Sequence, residues 1–361
     1  MDQHSVAAGD PAQITIRPHG LQGILATVPY LLGFHPRQSL VPVLVDDRRV
    51  ALTLRLDVEH LVDEPYRTKE FLGEQLERTG ASAILLVAYT DEPDPVVDEA
   101  LEGLALSLEA EQLVRGDAPE VLDAVHVAAG RYRSVTCRDT GCCPEEGFDY
   151  AAVLSDPAAA EAVLNGLPAL ADREDLRAWI LPGSAEPGDE YHETLLDTLG
   201  WLEQCDPRDA ALEMDRQLFR LERGVTAPTG AELGHLTALA THPSARDVAT
   251  LRIERRSSEL WGTVWAQVAR SAEGLAAVGP LGLVGLAAWA RGDGALVCVC
   301  LEEAERLLPE HGLVRLLTDV VALGLHPDEW HRMRRESLDE YGPLGPAFET
   351  GWEDGEEQAV G

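Results

Sequence analysis

The sequence predicts two units in series: an α/β domain with a mixed five- or six-stranded sheet, then an all-α helical domain containing one tetratricopeptide-like helix pair. Three observations carry this. β-rich runs alternate with helical patterns over the first half, and the periodicity of the second half is helical throughout. At 361 residues the chain is also long enough to bury two hydrophobic cores. Composition sets the expected boundaries at a disordered N-terminus over 1–12, the α/β domain over 13–182 and a Pro, Gly and acid-rich linker over 183–190. The helical domain then covers 191–336, and a disordered acidic tail covers 337–361.

Gln13 to Arg17 reads as a short strand, and Leu21 to Leu32 has helical apolar spacing that Gly33 can end. Leu40 to Val45 and Val50 to Val58 predict a hairpin joined at Asp46 to Arg49. Its second arm alternates Ala51, Thr53, Arg55 and Asp57 against Leu52, Leu54 and Leu56, giving one polar and one buried face. Glu64 to Thr79 is helical and stops at Gly80, and Ala81 to Tyr89 is a nearly continuous apolar strand. Strand, helix and strand predict a right-handed crossover. Asp94-Pro95 begins a helix with Val97, Leu101, Leu104, Ala105 and Leu108 on one face. A second hairpin runs from Leu122 to Ala128 and from Arg131 to Cys137 around Ala129-Gly130, and Asp156-Pro157 and Asp172 begin two further helices.

Beyond the linker, Leu195, Leu196, Leu199 and Leu202 mark one helix, Thr229 with Glu232 makes a capping box for another, and Leu260, Trp261, Val264 and Val268 line a third. Leu281 to Ala290, a turn at Gly292-Asp293-Gly294, and Ala295 to Leu308 form an antiparallel pair. Gly285, Ala304 and Pro309 stand at the separations of a tetratricopeptide unit, although one unit is not an array.

The 63 acidic against 29 basic residues leave a formal charge of -34, a field that repels phosphate backbones and anionic lipid heads and argues against nucleic acid as a partner. Two short basic runs, Arg252 to Arg256 and Arg332 to Arg335, read as solvated helix faces. Met1 to Gln13 has neither a basic start nor an apolar core, so no secretory signal is expected. The longest uncharged stretch, Gly274 to Ala290, is shorter than a spanning helix and holds Pro280, so it reads as a turn plus a buried helix, with no membrane partner. A cytoplasmic location follows as the expectation, where six cysteines serve as free thiols or metal ligands rather than as a disulfide framework.

The run Val28-Pro29-Tyr30-Leu31-Leu32-Gly33-Phe34-His35-Pro36, followed by Ser39-Leu40-Val41, resembles the opening signature of the bacterial family called domain of unknown function 4192. Arg55 and Asp57, Arg131-Tyr132-Arg133-Ser134 before Cys137, Cys142-Cys143-Pro144 with Gly147, and Ala287-Ala288-Trp289 with Gly292-Asp293-Gly294-Ala295 follow in the family's order. The resemblance covers roughly residues 14 to 335. It implies no activity, cofactor or ligand residues, so function has to be argued from chemistry.

The densest chemistry is Cys137, Cys142 and Cys143, three thiols within seven residues at a strand end and the loop after it. Such a group suits zinc, thiol redox work or plain packing, and the sequence leaves all three open. A fourth ligand is the difficulty. His126 should sit opposite Arg133, about 13 Å from Cys137, whereas Asp139 lies inside the loop and is better placed. Cys205, Cys298 and Cys300 read as core fillers. A second group, Tyr30, His35, Ser39, Arg55 and Asp57, could gather at one sheet edge. His35 would act as general base, Ser39 as nucleophile and Asp57 as the group orienting the imidazole; the other reading of Arg55 and Asp57 is a structural ion pair. No P-loop, Rossmann fingerprint, G-x-S-x-G elbow or H-E-x-x-H occurs, and His326 and His331 are five apart, off a common helical face. The functional expectation is a non-enzymatic accessory or adaptor protein that binds a protein partner through its helical domain, with Phe348 and Trp352 as possible tail anchors. The alternative is a metal-binding or thiol-based enzyme or sensor using the three-cysteine loop.

Overall fold

A computed structural model of the chain describes residues 20–47, 49–115, 119–164, 169–183, 187–224 and 228–345. The expected strand at Gln13 to Arg17 and the tail residues Phe348 and Trp352 lie outside them. The chain divides into two compact units, Met1–Arg173 and Glu174–Gly361.

The first unit begins with α1 (Gly20–Leu32), ended by Gly33 at φ +79°, and continues with β1 (Ser39–Asp46), β2 (Arg49–Thr53) and β3 (Leu56–Asp57). Then come α2 (Val58–Asp63), α3 (Pro65–Thr79), β4 (Ala83–Thr90), α4 (Pro95–Arg115), β5 (Glu120–Ala128) and β6 (Arg131–Ser134). β7 (Phe148–Asp149), α5 (Tyr150–Leu154) and α6 (Pro157–Leu164) complete it. The mixed sheet has seven strands ordered β2-β1-β4-β5-β6-β7, with β3 also beside β1. The count exceeds the expected five or six because the chain leaves the ladder at Leu54 and Arg55, splitting one expected strand into β2 and β3, and because β7 adds a two-residue edge. Val58, expected in that strand, instead opens α2.

β1 runs antiparallel to both β2 and β4, and the parallel pair is β4 with β5, connected through α4. The β5–β6 hairpin has the expected register, His126 opposite Arg133. Ala129 at φ +48° and Gly130 at φ +74° are both left-handed, as a two-residue turn matched to strand twist requires. One face of β4 (Ile84, Leu86, Ala88) packs with Leu61, Leu72, Leu101 and Leu104 of the helices in a continuous core. β4 is buried along nearly its whole length, which is why it reads as an unbroken apolar run.

Among the described residues ten α-helices follow: α7 (Arg173–Ile180), α8 (Asp189–Leu202), α9 (Pro207–Arg223), α10 (Gly230–Thr241), α11 (Pro243–Arg252), α12 (Ser258–Ser271), α13 (Val278–Arg291), α14 (Gly294–Leu307), α15 (Gly312–Leu323) and α16 (Pro327–Tyr341). The division of the chain falls before the expected linker because α7 belongs to the helical unit, where Arg177 pairs with Glu302 and Glu303 of α14. The Thr229/Glu232 capping box of α10 is complete. α13 and α14 form the expected pair, turning at Gly292 (φ +87°) with Asp293 capping Leu296 N–H. At Gly285 a Cβ would meet Leu317 Cδ1 at 2.5 Å and Cys300 Cβ at 3.3 Å, so the missing side chain lets α13 approach α14 and α15 closely.

Pro280 does not interrupt α13. It lies in the first turn, where a proline has no helical hydrogen bond to remove. Together with a preceding 3-10 turn, Gly274–Arg291 is an 18-residue apolar segment long enough to cross a bilayer, and 78% of it is buried among the other helices. Four arginines of the basic runs are paired locally: Arg252 with Asp215 and Glu222, Arg255 with Asp328, Arg332 with Glu329 and Glu336, Arg334 with Glu254.

The helical unit carries a pH-sensitive contact. His311 accepts from Arg246 at 2.9 Å, and burial, followed by the Arg246 charge, lowers its pKa to about 4 from an ordinary 6.5. The unfolded chain therefore binds a proton that the folded chain refuses over that interval. Its contribution to stability is fully present above about pH 6.5 and is lost as pH falls toward 4. Urea midpoints are expected to fall from pH 7 to pH 5, and His311→Gln is expected to flatten that dependence; an unchanged slope in the variant refutes the assignment.

Candidate metal centre

The three-cysteine loop grows out of the β5–β6 hairpin, and a carboxylate fixes its start. Asp123 Oδ1 accepts from Ala124 N–H (2.8 Å), Ser134 Oγ (2.6 Å) and Thr136 Oγ1 (3.1 Å), and Ser134 Oγ in turn accepts from Cys137 N–H (3.0 Å). This holds Cys137 at the strand end. Asp139 then turns the chain back: its Oδ1 accepts from Gly141 N–H (2.9 Å), and its carbonyl accepts from the amides of both Cys142 (3.1 Å) and Cys143 (2.7 Å). The far end is clamped by Arg131, which donates to the carbonyls of Glu146 (2.5 Å) and Gly147 (2.6 Å). Gly147 is required there, since it has φ +67° and a Cβ would lie 2.5 Å from Tyr132 O.

With both ends fixed, the Sγ atoms of Cys137, Cys142 and Cys143 lie within 4.8 Å of one another, the expected convergence. Among the described residues no other group of histidines, cysteines or carboxylates meets this way. Cys142 is exposed and the other two are half-buried. The Cys143 thiol is pushed up to about 12, first by its hydrogen bond with Cys137, then by burial and by its hydrogen bond with Cys142. Asp139 is not a fourth member: it stands outside the group and caps the loop backbone. A cleft of about 390 Å³ opens beside Cys137, lined also by Glu102, Glu109 and Asp123. Its carboxylates favour a cation there and disfavour an unbalanced thiolate.

Of the remaining cysteines, Cys300 is buried in the core, as expected, while Cys205 and Cys298 are half-buried and Cys205 donates weakly to Leu202 O.

The expected serine, histidine and aspartate set does not assemble. Ser39 is buried, donates to Arg37 O (2.7 Å) and accepts from Arg55 Nε (2.9 Å). Asp57, opposite Ser39 in the ladder, binds Arg55 at 2.6 Å, the structural ion pair of the other reading. His35 instead lines a separate cavity with Tyr89 and Tyr150, and burial lowers its pKa. Its ring has no hydrogen bond to Ser39 or Asp57 that could make it their base.

One polar network escaped sequence reasoning. Thr90 Oγ1 lies 2.7 Å from His126 Nε2, His126 Nδ1 lies 2.8 Å from Asp98 Oδ1, and the other Asp98 oxygen pairs with Arg133. The order of groups is that of a hydrolase triad, but His126 is 2% exposed and shares the face of β5 with Ala124, in the core under α4. The network bolts the first turn of α4 to three strands.

Fold and site together define a two-unit protein whose α/β unit presents a preformed three-thiol loop. The chain belongs to the family described as Domain of unknown function (DUF4192), whose model matches residues 22–328. No curated protein and no solved structure matches it.

Proposed function

We propose that the protein binds one thiophilic metal ion, zinc or copper(I), through Cys137, Cys142 and Cys143, as a sensor or an enzyme of the α/β unit. The convergence of the three sulfurs carries the reading. Thiolates are the donors such ions select. Three protein ligands leave a coordination position for water or an exogenous molecule, as in exchanging and catalytic sites rather than closed structural ones. Thiol redox work fits less well. Reactive cysteines need an electropositive setting, whereas here Cys143 is pushed up and the neighbouring Arg138 and Arg133 are occupied by Glu102 and Asp98. The reading places the protein in a reducing compartment, consistent with the cytoplasmic expectation.

Elemental analysis of protein purified without chelator is expected to find about one equivalent of metal, lost in Cys142→Ser. Metal-free protein that takes up neither zinc nor copper(I) overturns the proposal.

The second reading, an accessory protein that binds a protein partner through the helical unit, rests on apolar side chains left in solvent on α8, Leu196 at 67% and Trp201 at 40% exposure. Gentle affinity purification that recovers no stoichiometric partner overturns it.

A further inference from the structure

The three-cysteine loop offers sulfur alone. Its Sγ atoms lie within 4.8 Å of one another, and among the described residues no histidine, carboxylate or fourth thiol joins them. Asp139, the candidate fourth ligand inside the loop, accepts from Gly141 N–H instead. Bonds of about 2.3 Å to a shared centre would draw the three sulfurs to about 3.5 to 4 Å apart. That is a small contraction for a group whose side chains already hydrogen-bond to one another.

Charge discriminates among the centres that take three sulfurs. Three thiolates leave a zinc complex with one net negative charge and a copper(I) complex with two. The cleft beside Cys137 is lined by Glu102, Glu109 and Asp123, and the nearby guanidiniums of Arg133 and Arg138 are paired with Asp98 and Glu102. The whole chain carries a formal charge of -34. Like charge in these surroundings opposes an anionic complex. Trivalent arsenic bound to three sulfurs is neutral, and its lone pair takes the direction in which zinc needs a fourth ligand. Arsenous acid, its form in water at neutral pH, is uncharged too, so carboxylates do not deter its entry.

We propose that Cys137, Cys142 and Cys143 bind arsenous acid as a neutral three-sulfur complex. The inference rests on the sulfur convergence that carries the metal reading and names the species that the charge around the site favours. Cys142, the exposed member, meets the ligand first, and the half-buried Cys137 and Cys143 close on it. Each thiol gives its proton to one arsenic hydroxyl, which leaves as water while an arsenic–sulfur bond forms. Three S–H and three As–O bonds are exchanged for three As–S bonds and three O–H bonds, with no electron transferred and no proton released.

Titration of the reduced full chain with arsenite at neutral pH, in the absence of free thiol, followed by denaturing mass spectrometry, tests this. One arsenic per chain is expected, seen as a mass gain of one arsenic less three hydrogens, with a Kd of about 1 μM or tighter. Cys142→Ser is expected to weaken arsenite binding at least about a hundredfold, because the third attachment is intramolecular. Phenylarsine oxide forms only two bonds to sulfur and is expected to bind this variant within about threefold of the wild-type chain. Since Cys142 is exposed, its substitution leaves the fold intact, and the retained phenylarsine oxide binding verifies that. No uptake of arsenite, an adduct that keeps an oxygen, or an arsenite affinity unchanged in Cys142→Ser overturns the proposal. Uptake of zinc or copper(I) without arsenite removes this inference and leaves the metal reading standing; failure of all three removes both.

Discussion

Asp98→Ala is expected to destabilise the α/β unit by about 3 kcal/mol, the largest single-residue effect outside the apolar core. Asp98 stands in the first turn of α4, where a carboxylate is favoured by the helix dipole, and it accepts from two strands at once. Removing it leaves His126, almost fully buried, with an unpartnered Nδ1, and leaves the Arg133 guanidinium half-buried without its counter-charge. The desolvation cost of those two groups then goes uncompensated, and α4 loses its polar tie to β5 and β6. Asp98→Asn keeps an acceptor for one of them and is expected to recover roughly half of the loss. Urea unfolding followed by far-UV circular dichroism measures both variants. A loss below about 1 kcal/mol in Asp98→Ala would mean that water already satisfies the network.

That network shows what a single sequence cannot reveal. Thr90, Asp98, His126 and Arg133 come from the end of one strand, the start of a helix and the two arms of a hairpin, and their meeting depends on β4 lying parallel to β5. One piece was legible. A two-residue turn at Ala129-Gly130 fixes the register, and His126 does sit opposite Arg133. The rest is non-local pairing, on which local periodicity is silent. The same limit explains the first hairpin. The alternation of Leu52, Leu54 and Leu56 continues past the point where the backbone leaves the ladder, so two strands read as one. Around Pro280 the reading of a turn plus a buried helix holds, and only the start moves: the helix begins at Val278, ahead of the expected Leu281, because proline suits a helix's first turn.

At the cysteine loop the residue types and their spacing pointed to the cluster, but seven residues can span about 20 Å when extended, and it is the turn at Asp139 that folds Cys142 and Cys143 back toward Cys137. The spacing did not show which polar neighbour would join them. Asp139 spends its carboxylate on the amide two residues ahead, the ordinary habit of aspartate in a tight turn. The group of His35, Ser39 and Asp57 failed in a comparable way. The hairpin does bring Ser39, Arg55 and Asp57 together, but Arg55 occupies both partners, while the loop after α1 carries His35 to a different cavity.

Metal affinity at the three-cysteine loop is expected to rise at least about tenfold for each pH unit between about 6 and 8, because metal displaces protons from thiols. Cys143 fixes the minimum. Its thiol, held up to about 12 by hydrogen bonds within the cluster and by burial, is protonated across that whole interval, so each metal bound must release at least one proton from it. The sign follows from mass action: a proton released on binding makes lower pH oppose binding, and the dependence stays steep until the pH reaches the thiol's own value. Zinc titrations in two buffers of different ionisation enthalpy count the protons, and titrations with a competing chelator at pH 6, 7 and 8 give the slope. Cys143→Ser removes the proton together with a ligand, and is expected to lower affinity by about a hundredfold or more while making what binding remains less dependent on pH. A wild-type affinity that is flat across this interval is incompatible with a thiolate-bound ion, and would return the three sulfurs to the role of packing side chains.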